Sequence, residues 1–408
     1  MTNSKFSSLF LSACAFAVLH TAAATAADIG EDAKYGKISG DFRYRSEFVD
    51  QTGLRDSARA HTARLRLGYE SPVYKGFKFF GEMESNQILG GEQFNDGLNG
   101  KARYPRVNDP RMTGVNQAYL DYKDHGVQLR LGRQPLLFDN QRFVSWSKWR
   151  QNDVTHDAAQ IQFEPLEKLK LSYAHSTGVN RYSGRRSDAG RYDANINLFN
   201  ARYELPKGFT VSGYGYLVDF EEPTENALSS RTYGVRAVYD PKGKTWLPFG
   251  SVEYARQSDY GQNPLSYNAN YYAVEAGAKL DTIRLSIAHE HLGSDGTASL
   301  QTPIGTAYNF LGWTEKFGTI PVQGLTDTRF QAVYPVDLPW EGQKITFTGQ
   351  YHDFNSVKGS LDYGTELGLS MTYTPVKNHD FTLRYADYNA EDLFTDTTKV
   401  AVFYEYKF

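Results

Sequence analysis

The chain of 408 residues is poor in cysteine, poor in methionine and, beyond its first residues, free of long apolar runs. Its one cysteine, Cys14, lies within an amino-terminal apolar stretch. Without that stretch the chain can form neither a disulfide nor a cysteine-ligated metal site. No later apolar run approaches the roughly 20 residues of a membrane-spanning helix. These absences exclude disulfide-stapled domains, cysteine metal centres and helical membrane proteins.

The amino terminus has the order of charged, apolar and small residues that predicts export. Lys5 precedes an apolar stretch from Phe6 to Leu19, and small residues follow up to Ala27. We therefore predict a secretory signal peptide at residues 1–27 and a single mature domain at residues 28–408. Leu11-Ser12-Ala13-Cys14 is also similar to a lipoprotein cleavage box, but the apolar stretch continues beyond it.

Net charge and aromatic content narrow the possible classes of protein further. The formal net charge is −3, and removal of Lys5 would make it −4, which excludes a nucleic-acid binder. The chain has 29 tyrosines, 25 phenylalanines and 36 glycines but only 4 methionines. This balance favours β-structure and is typical of proteins whose aromatic rings lie at a lipid–water boundary.

Apolar and polar residues alternate with a period of two along most of the chain. The pattern is clear at residues 38–48, 63–70, 127–131 and 367–373, and it predicts β-strands with two different faces. In a soluble sandwich the apolar face would form the core. In a membrane barrel it would contact lipid, while the polar face would line the lumen.

The lengths of the connections distinguish these two folds. Short turns (71–76, 123–126, 165–168, 206–208 and 240–243) alternate with long loops (90–114, 139–155, 178–194 and 294–324). Outer-membrane barrels have this alternation, with short periplasmic turns and long extracellular loops. We therefore predict an all-β protein, a transmembrane antiparallel β-barrel of about 18 strands in a bacterial outer membrane.

The carboxyl terminus continues the alternation to the last residue. Val400, Val402, Tyr404, Tyr406 and Phe408 share one face. A terminal aromatic residue in register with an apolar stripe resembles the signal that barrel-assembly machinery recognises, so we predict that machinery as a partner. An ordinary amphipathic edge strand is the alternative.

A barrel of about 16 to 18 strands leaves an aqueous channel. The alternation of faces along each predicted strand (the parity of a residue's position) places both basic and acidic side chains in the lumen. The basic ones are Arg43, Arg45, Arg64, Arg66, Lys78, Arg130, Arg202, Arg236, Lys279, Arg284 and Arg384. The acidic ones are Asp41, Glu47, Glu82, Glu84, Asp121, Glu275 and Glu366. These charges can simply pair and keep the wall hydrated. Alternatively, the arginines grouped on the first two strands bind carboxylates of a solute.

Two segments resemble a known family. The segment from Leu129 to Ala158 contains Leu131-Gly132-Arg133-Gln134, Trp149-Arg150-Gln151-Asn152 and Thr155-His156-Asp157-Ala158, and it is similar to the signature of the alginate-export family of outer-membrane porins. A second stretch, Asn309 to Phe317 with Gly324 to Asp327, resembles a later block of that family. The resemblance implies a monomeric barrel with an electropositive constriction for an acidic polysaccharide. The chain is compact for the family, which leaves other solutes open.

The loop after Pro135 combines polar side chains with Trp146 and Trp149. We expect it either to fold inward as a clamp on which sugar rings stack, or to act only in fixing strand register at the rim. The candidate pore-lining or substrate residues are Arg43, Arg45, Arg64, Arg66, Arg130, Arg133, Arg142, Trp149, Arg150 and Asn152.

No motif indicates a catalytic site, cofactor or metal. His289 and His291 share a strand face and could bind a metal ion, but two hydrated histidines are the simpler interpretation. The leading hypothesis is a passive channel for an anionic oligo- or polysaccharide. The alternative is a general or substrate-specific porin for small anionic solutes such as organic acids, and the third is a barrel enzyme or adhesin. Lipid and lipopolysaccharide of the outer membrane are the expected surroundings, and no nucleic acid is expected as a partner.

Overall fold

The computed structural model describes residues 35–243 and 246–408, so the predicted signal peptide lies outside the described residues. These residues form strands of 8 to 15 residues with period-two burial. The strands are β1 (Lys37–Gln51), β2 (Ala58–Glu70), β3 (Phe77–Ile88), β4 (Met112–Asp124), β5 (Val127–Gln134), β6 (Thr155–Leu166), β7 (Leu169–Asn180), β8 (Arg191–Glu204), β9 (Phe209–Phe220), β10 (Ser230–Tyr239), β11 (Leu247–Asp259), β12 (Asn268–Leu280), β13 (Ile283–Leu292), β14 (Leu325–Asp337), β15 (Lys344–Asn355), β16 (Asp362–Val376), β17 (His379–Asn389) and β18 (Thr397–Lys407).

Each strand pairs antiparallel with the next, and β18 pairs with β1 from Asp41↔Lys407 to Gln51↔Thr397. The sheet therefore closes into an 18-stranded barrel, which confirms the predicted fold class and strand number. Closure leaves no unpaired strand edge, the condition for placing a β-sheet in hydrocarbon. None of the short helical turns in the described chain could cross a membrane.

The connections alternate in length as predicted. At one end of the barrel are tight turns such as His125-Gly126, where φ is +43° and +79°, so both residues adopt the left-handed conformation of a two-residue hairpin turn. At the other end are four long connections, named here L2 (89–111), L3 (135–154), L4 (181–190) and L7 (293–324). By the usual arrangement of such barrels, the long loops lie on the extracellular side.

The two faces of the wall differ as expected for a membrane protein. Leu65, Leu67, Leu129 and Leu131 are 42–65% exposed on the outside. The intervening arginines of β2 point inward and are buried. Because apolar residues are exposed and charged ones covered, the wall suits lipid outside and a polar interior.

The apolar core lies inside the barrel. Phe138 and Phe143 of L3 and Phe317 of L7 are buried with inward-facing residues of β6–β17. The ring centroids of Phe143 and Tyr271 are 5.0 Å apart in an edge-to-face arrangement. L3 and L7 therefore fold into the lumen and fill part of it with packed side chains.

Candidate solute site in the barrel lumen

The first half of L3 is anchored to the wall formed by β8, β9 and β13. The carboxylate of Asp139 accepts hydrogen bonds from Asn200 Nδ2 (2.7 Å) and Ser212 Oγ (2.6 Å). Arg142 Nε donates to Glu290 Oε1 over 2.5 Å. Arg142 is fully buried, and a buried guanidinium is stable only when paired in this way. L3 therefore crosses the lumen from its origin on β5.

The second half of L3 is held by the arginines of β1 and β2. Their guanidinium groups donate to four backbone carbonyls of the loop: Arg43 Nη1 to Lys148 (2.8 Å) and Arg150 (3.2 Å), Arg45 Nη1 to Trp149 (2.6 Å), and Arg64 Nη1 and Arg66 Nη2 to Gln151 (3.1 and 3.2 Å). Each of these arginines also pairs with a carboxylate. The arginine group predicted from the sequence is present, but each of its guanidinium groups is bonded to the protein itself, and within the described residues Arg64 Nε is a buried donor without a partner.

A buried charge network joins L3, L7 and the wall. It contains three cations and three carboxylates: Arg45, Arg150 and Lys399 with Glu47, Asp109 and Glu315. Lys399 Nζ lies 2.7 Å from Glu315 Oε2 and 3.4 Å from Glu47 Oε1. Equal numbers of opposite charges keep the network neutral, the condition for burying so many ions.

L7 is fixed by a carboxylate on β16. Glu366 accepts hydrogen bonds from the backbone N–H groups of Trp313 and Thr314, the latter over 3.1 Å. Gly312 adopts a φ of +82°, and a Cβ there would lie 2.5 Å from Glu366 Oε2. Gly368 on the same strand leaves room for the Trp313 ring, which would lie 2.8 Å from an added Cβ. The second family-like motif is therefore the segment that holds L7 inside the barrel.

A cavity of about 490 Å³ lies between these loops and the wall of β1, β17 and β18. Its charged lining residues are Arg43, Lys148, Arg384 and Glu405. Arg43 is paired with Glu405 through Nε at 2.8 Å. Neither Lys148 nor Arg384 has an ion pair among the described residues. Within the described residues the cavity therefore presents two cations that have no carboxylate partner.

Aromatic rings surround these cations. The Trp149 ring stacks on Tyr308, with centroids 3.7 Å apart and an interplanar angle of 12°. The guanidinium carbon of Arg384 lies 4.3 Å from the ring centroid of Trp313 and 5.1 Å from that of Trp149. Arg384 Nε and the Tyr308 hydroxyl are buried without a hydrogen-bond partner within the described part of the chain. This arrangement can accept an anion together with an apolar or aromatic group.

Three ionisable side chains of L3 and L7 have pKa values that differ from their ordinary values. Burial alone would raise the pKa of the Glu315 carboxyl, but Arg150 and Lys399 outweigh burial and lower it to about 2. Burial and repulsion by Lys399 lower the pKa of Lys316 to about 8. Burial also lowers the pKa of Lys148. The loops are therefore held by a carboxylate that stays ionised at neutral pH.

The predicted site residues fall into distinct environments. Arg43 and Trp149 line the cavity. Arg130 faces the lumen elsewhere and makes two bonds to Asp121, at 2.6 and 2.8 Å. The others on the inner side are at most 5% exposed and act as anchors in this structure: Arg45, Arg64, Arg66, Arg142, Arg150 and Asn152. Sequence reasoning did not select Arg384, Lys148 or Tyr308, although parity had placed Arg384 in the lumen.

Arg133 requires a correction. It shares the outward face of β5 with Leu131 and pairs with Asp157 of β6, so it does not line the lumen. His289 and His291 are also outward, and His291 stacks on Tyr272 with centroids 4.3 Å apart. No group of three potential metal ligands occurs in residues 35–243 and 246–408.

Comparison with known proteins agrees with this geometry. Residues 34–210 match the family model described as alginate export. The fold is similar to Pseudomonas aeruginosa OpdO (TM-score 0.70, 15% identity, covering 92% of this chain and 97% of that chain). It is also similar to Acinetobacter baumannii OccAB4 (TM-score 0.69, 12% identity, 92% and 99%) and to P. aeruginosa OccK9, also called OpdG (TM-score 0.68, 13% identity, 92% and 99%). No curated protein matches the chain. The protein is thus an outer-membrane β-barrel with the fold of these porins, and its residues 34–210 match the alginate-export family model.

Proposed function

We propose that this porin is a selective channel for small anionic solutes, in particular organic acids that carry an apolar or aromatic group. The observation that carries the proposal is the cavity that combines Arg384 and Lys148, both unpaired among the described residues, with the stacked rings of Trp149 and Tyr308. A porin for small anionic solutes is the alternative hypothesis drawn from the sequence, and the packing of the lumen favours it over passage of a polysaccharide.

The size of the free space supports a small solute. The cavity of about 490 Å³ falls within the roughly 300–1,000 Å³ typical of small-molecule sites. L3 and L7 occupy the lumen beside it and are joined to the wall and to each other by ion pairs. A polymer would require these anchored loops to leave the lumen, whereas a small acid does not.

The chemistry of the lining supports an anion. A guanidinium with a free edge can bind a carboxylate through two parallel hydrogen bonds. Arg384 is the cavity arginine that has no carboxylate partner among the described residues, because Arg43 is paired with Glu405. The buried Tyr308 hydroxyl can supply a further hydrogen bond, and the neighbouring rings can cover an apolar substituent.

The test is ion selectivity and block in planar bilayers. We expect the wild-type channel to prefer anions and to be blocked by benzoate more effectively than by oligouronates of several sugar units. Arg384→Gln should lower the anion/cation permeability ratio about fivefold, equivalent to roughly 1 kcal/mol, the energy of one charge at contact distance in water. Arg202→Gln is the matched control, because Arg202 is an inward arginine of β8 outside the cavity.

The alternatives give different results. Block by oligouronates at lower concentration than benzoate, relieved by Arg384→Gln, would favour the anionic polysaccharide. Cation preference of the wild-type channel, or equal effects of Arg384→Gln and Arg202→Gln, would contradict the proposal.

A further inference from the structure

The outer face of β5–β8 carries a basic cluster at its extracellular end. Arg133 makes two bonds to Asp157, Nε–Oδ1 at 2.8 Å and Nη2–Oδ2 at 3.1 Å. Arg191 contacts the same carboxylate and donates from Nε to Asp193 over 3.0 Å. Arg185 of L4 is exposed and lies within electrostatic range of Arg133, Asp157 and Arg191. Within the described chain Arg185 makes no hydrogen bond or ion pair, so the cluster retains a free guanidinium.

Below this cluster is a row of hydrogen-bonding side chains. The side-chain oxygen of Asn197 accepts a bond from the Tyr173 hydroxyl over 2.8 Å and lies 3.2 Å from His175 Nδ1. Tyr173, His175 and Asn197 all share the outward face of β7 and β8. These polar groups lie on a surface that otherwise contacts lipid, so the row marks a boundary rather than the hydrocarbon interior.

An apolar groove of about 390 Å³ follows further down the same face. Two glycines on β9 leave the concavity open, because no side chain projects from them. The register aligns two rows of lining residues across β6–β9: Ile161, Tyr173, Phe199 and Gly215, then Phe163, Leu171, Ala201 and Gly213.

The basic cluster, the hydrogen-bonding row and the apolar groove follow one another along the strands in the same order as the parts of an amphiphilic lipid. Asp157 and Ile161 are four residues apart on β6, which is about 13 Å along a strand. From the rim inward the surface is therefore cationic, then hydrogen-bonding, then apolar and concave. We propose that this face binds a phosphorylated glycolipid of the outer leaflet. Its phosphate contacts Arg133, Arg185 and Arg191, and an acyl chain lies in the groove.

Charge and location both favour this occupant. The arginines lie at the extracellular rim, where the lipid-facing wall meets the headgroups of the outer leaflet. Phosphate oxygens accept charge-assisted bonds from guanidinium groups, and a lipid bound in the membrane avoids the entropy cost of capture from solution. The groove is already open, so an acyl chain can lie in it without movement of the protein backbone.

The headgroup contact is tested by native mass spectrometry of the detergent-extracted barrel, with bisphosphorylated lipid A as the probe. Arg185→Gln removes the free guanidinium and, because Arg185 has no protein partner in the described chain, should leave folding intact. We expect lipid A retention to fall about tenfold, the effect of losing one charge-assisted hydrogen bond. The control is Arg231→Gln with Arg256→Gln, rim arginines on β10 and β11 that bond to Ser258 and Asn268.

The groove is tested separately with Gly213→Leu. A Cβ at Gly213 meets no atom within 4 Å, so the variant should fold and fill the groove. The control is Gly349→Leu on β15, where an added Cβ meets only Leu369 at 3.7 Å. We expect Gly213→Leu, but not Gly349→Leu, to reduce lipid A retention. Unchanged retention in both Arg185→Gln and Gly213→Leu, or equal retention of phosphatidylglycerol, would overturn the proposal.

Discussion

Arg150 of L3 and Glu315 of L7 form an ion pair inside the barrel, with Arg150 Nε 3.1 Å from Glu315 Oε1. The two loops that fill the lumen are therefore bound to each other as well as to the wall. Lys399 of β18 contacts the same carboxylate at 2.7 Å. Glu315 thus connects two loops and one strand through a single side chain.

Glu315→Gln should loosen both loops. Removing one partner from a buried ion pair costs roughly 3–5 kcal/mol, and here it would leave three cations with only two carboxylates, Glu47 and Asp109. We expect larger and noisier single-channel conductance, because L3 and L7 leave the lumen part of the time. Glu341→Gln, in an exposed turn at the opposite end of the barrel, is the control. Identical conductance histograms for the two variants would show that the pair does not hold the loops.

The same contact predicts opening by acid. The folded-state pKa of Glu315, about 2, lies below its ordinary value of 4.5. Its contribution to loop packing is therefore complete above about pH 4.5 and is lost as the pH falls toward 2. Conductance of the wild-type channel should rise between pH 4.5 and pH 2.5 at constant salt. In Glu315→Gln the rise should be absent, and an equal rise in both proteins would assign the effect to another group.

Charge reversal at Arg64 and Arg66 should release L3. Both guanidinium groups donate to the Gln151 carbonyl, and two glutamates there would repel Asp41, Glu84 and Asp153. We expect increased conductance and a lower temperature for conversion of the folded to the unfolded band on gels. Lys242→Glu with Lys377→Glu, both exposed in periplasmic turns, should change neither. A reversal of ion selectivity at wild-type conductance would instead show that these arginines contact the solute.

Gly312→Ala should weaken the attachment of L7. The added methyl group would lie 2.5 Å from Glu366 Oε2, and a φ of +82° costs a residue other than glycine about 1–3 kcal/mol. We expect faster proteolysis of L7 in the folded barrel. Gly318→Ala in the same loop is the control, because a Cβ there meets no atom within 4 Å and its φ is not in the left-handed region. Equal cleavage rates would contradict the assigned role of the Glu366 contact.

The terminal residue should influence barrel closure. Phe408 exchanges backbone hydrogen bonds with Gly40 (2.9 and 3.0 Å), and its ring lies where a Cβ of Gly40 would be. Gly40→Ala should therefore displace the ring and reduce the yield of folded barrel in the outer membrane, as Phe408→Asp should. Gly213→Ala tests a glycine with open space around it. Full yield with Phe408→Asp would make the terminal ring incidental to assembly.

Strand number, parity and loop alternation follow from the sequence because they depend on local periodicity. The inward positions of Arg64 and Glu84 were predicted in this way, and both are inward in the structure. The partners of Arg64 could not be predicted, because its contact with Gln151 joins residues 87 positions apart. Arg133 was misassigned because its family-like motif outweighed its parity with Leu131. Arg384 stands out only once the folded chain shows that other lumen arginines are paired.

L3 contacts strands on opposite sides of the barrel, at Asp139 near β8 and β9 and at Gln151 near β2. Because both contacts are fixed, residues 139–151 span the cross-section of the barrel at a set length. The hydrogen bonds between strands alone would let that cross-section become rounder or more oval. The loop therefore determines the shape of the cross-section, while strand number determines its perimeter. Lengthening or shortening the segment 139–151 would therefore change the shape of the channel without altering any strand pairing. This segment is the natural place to resize the channel.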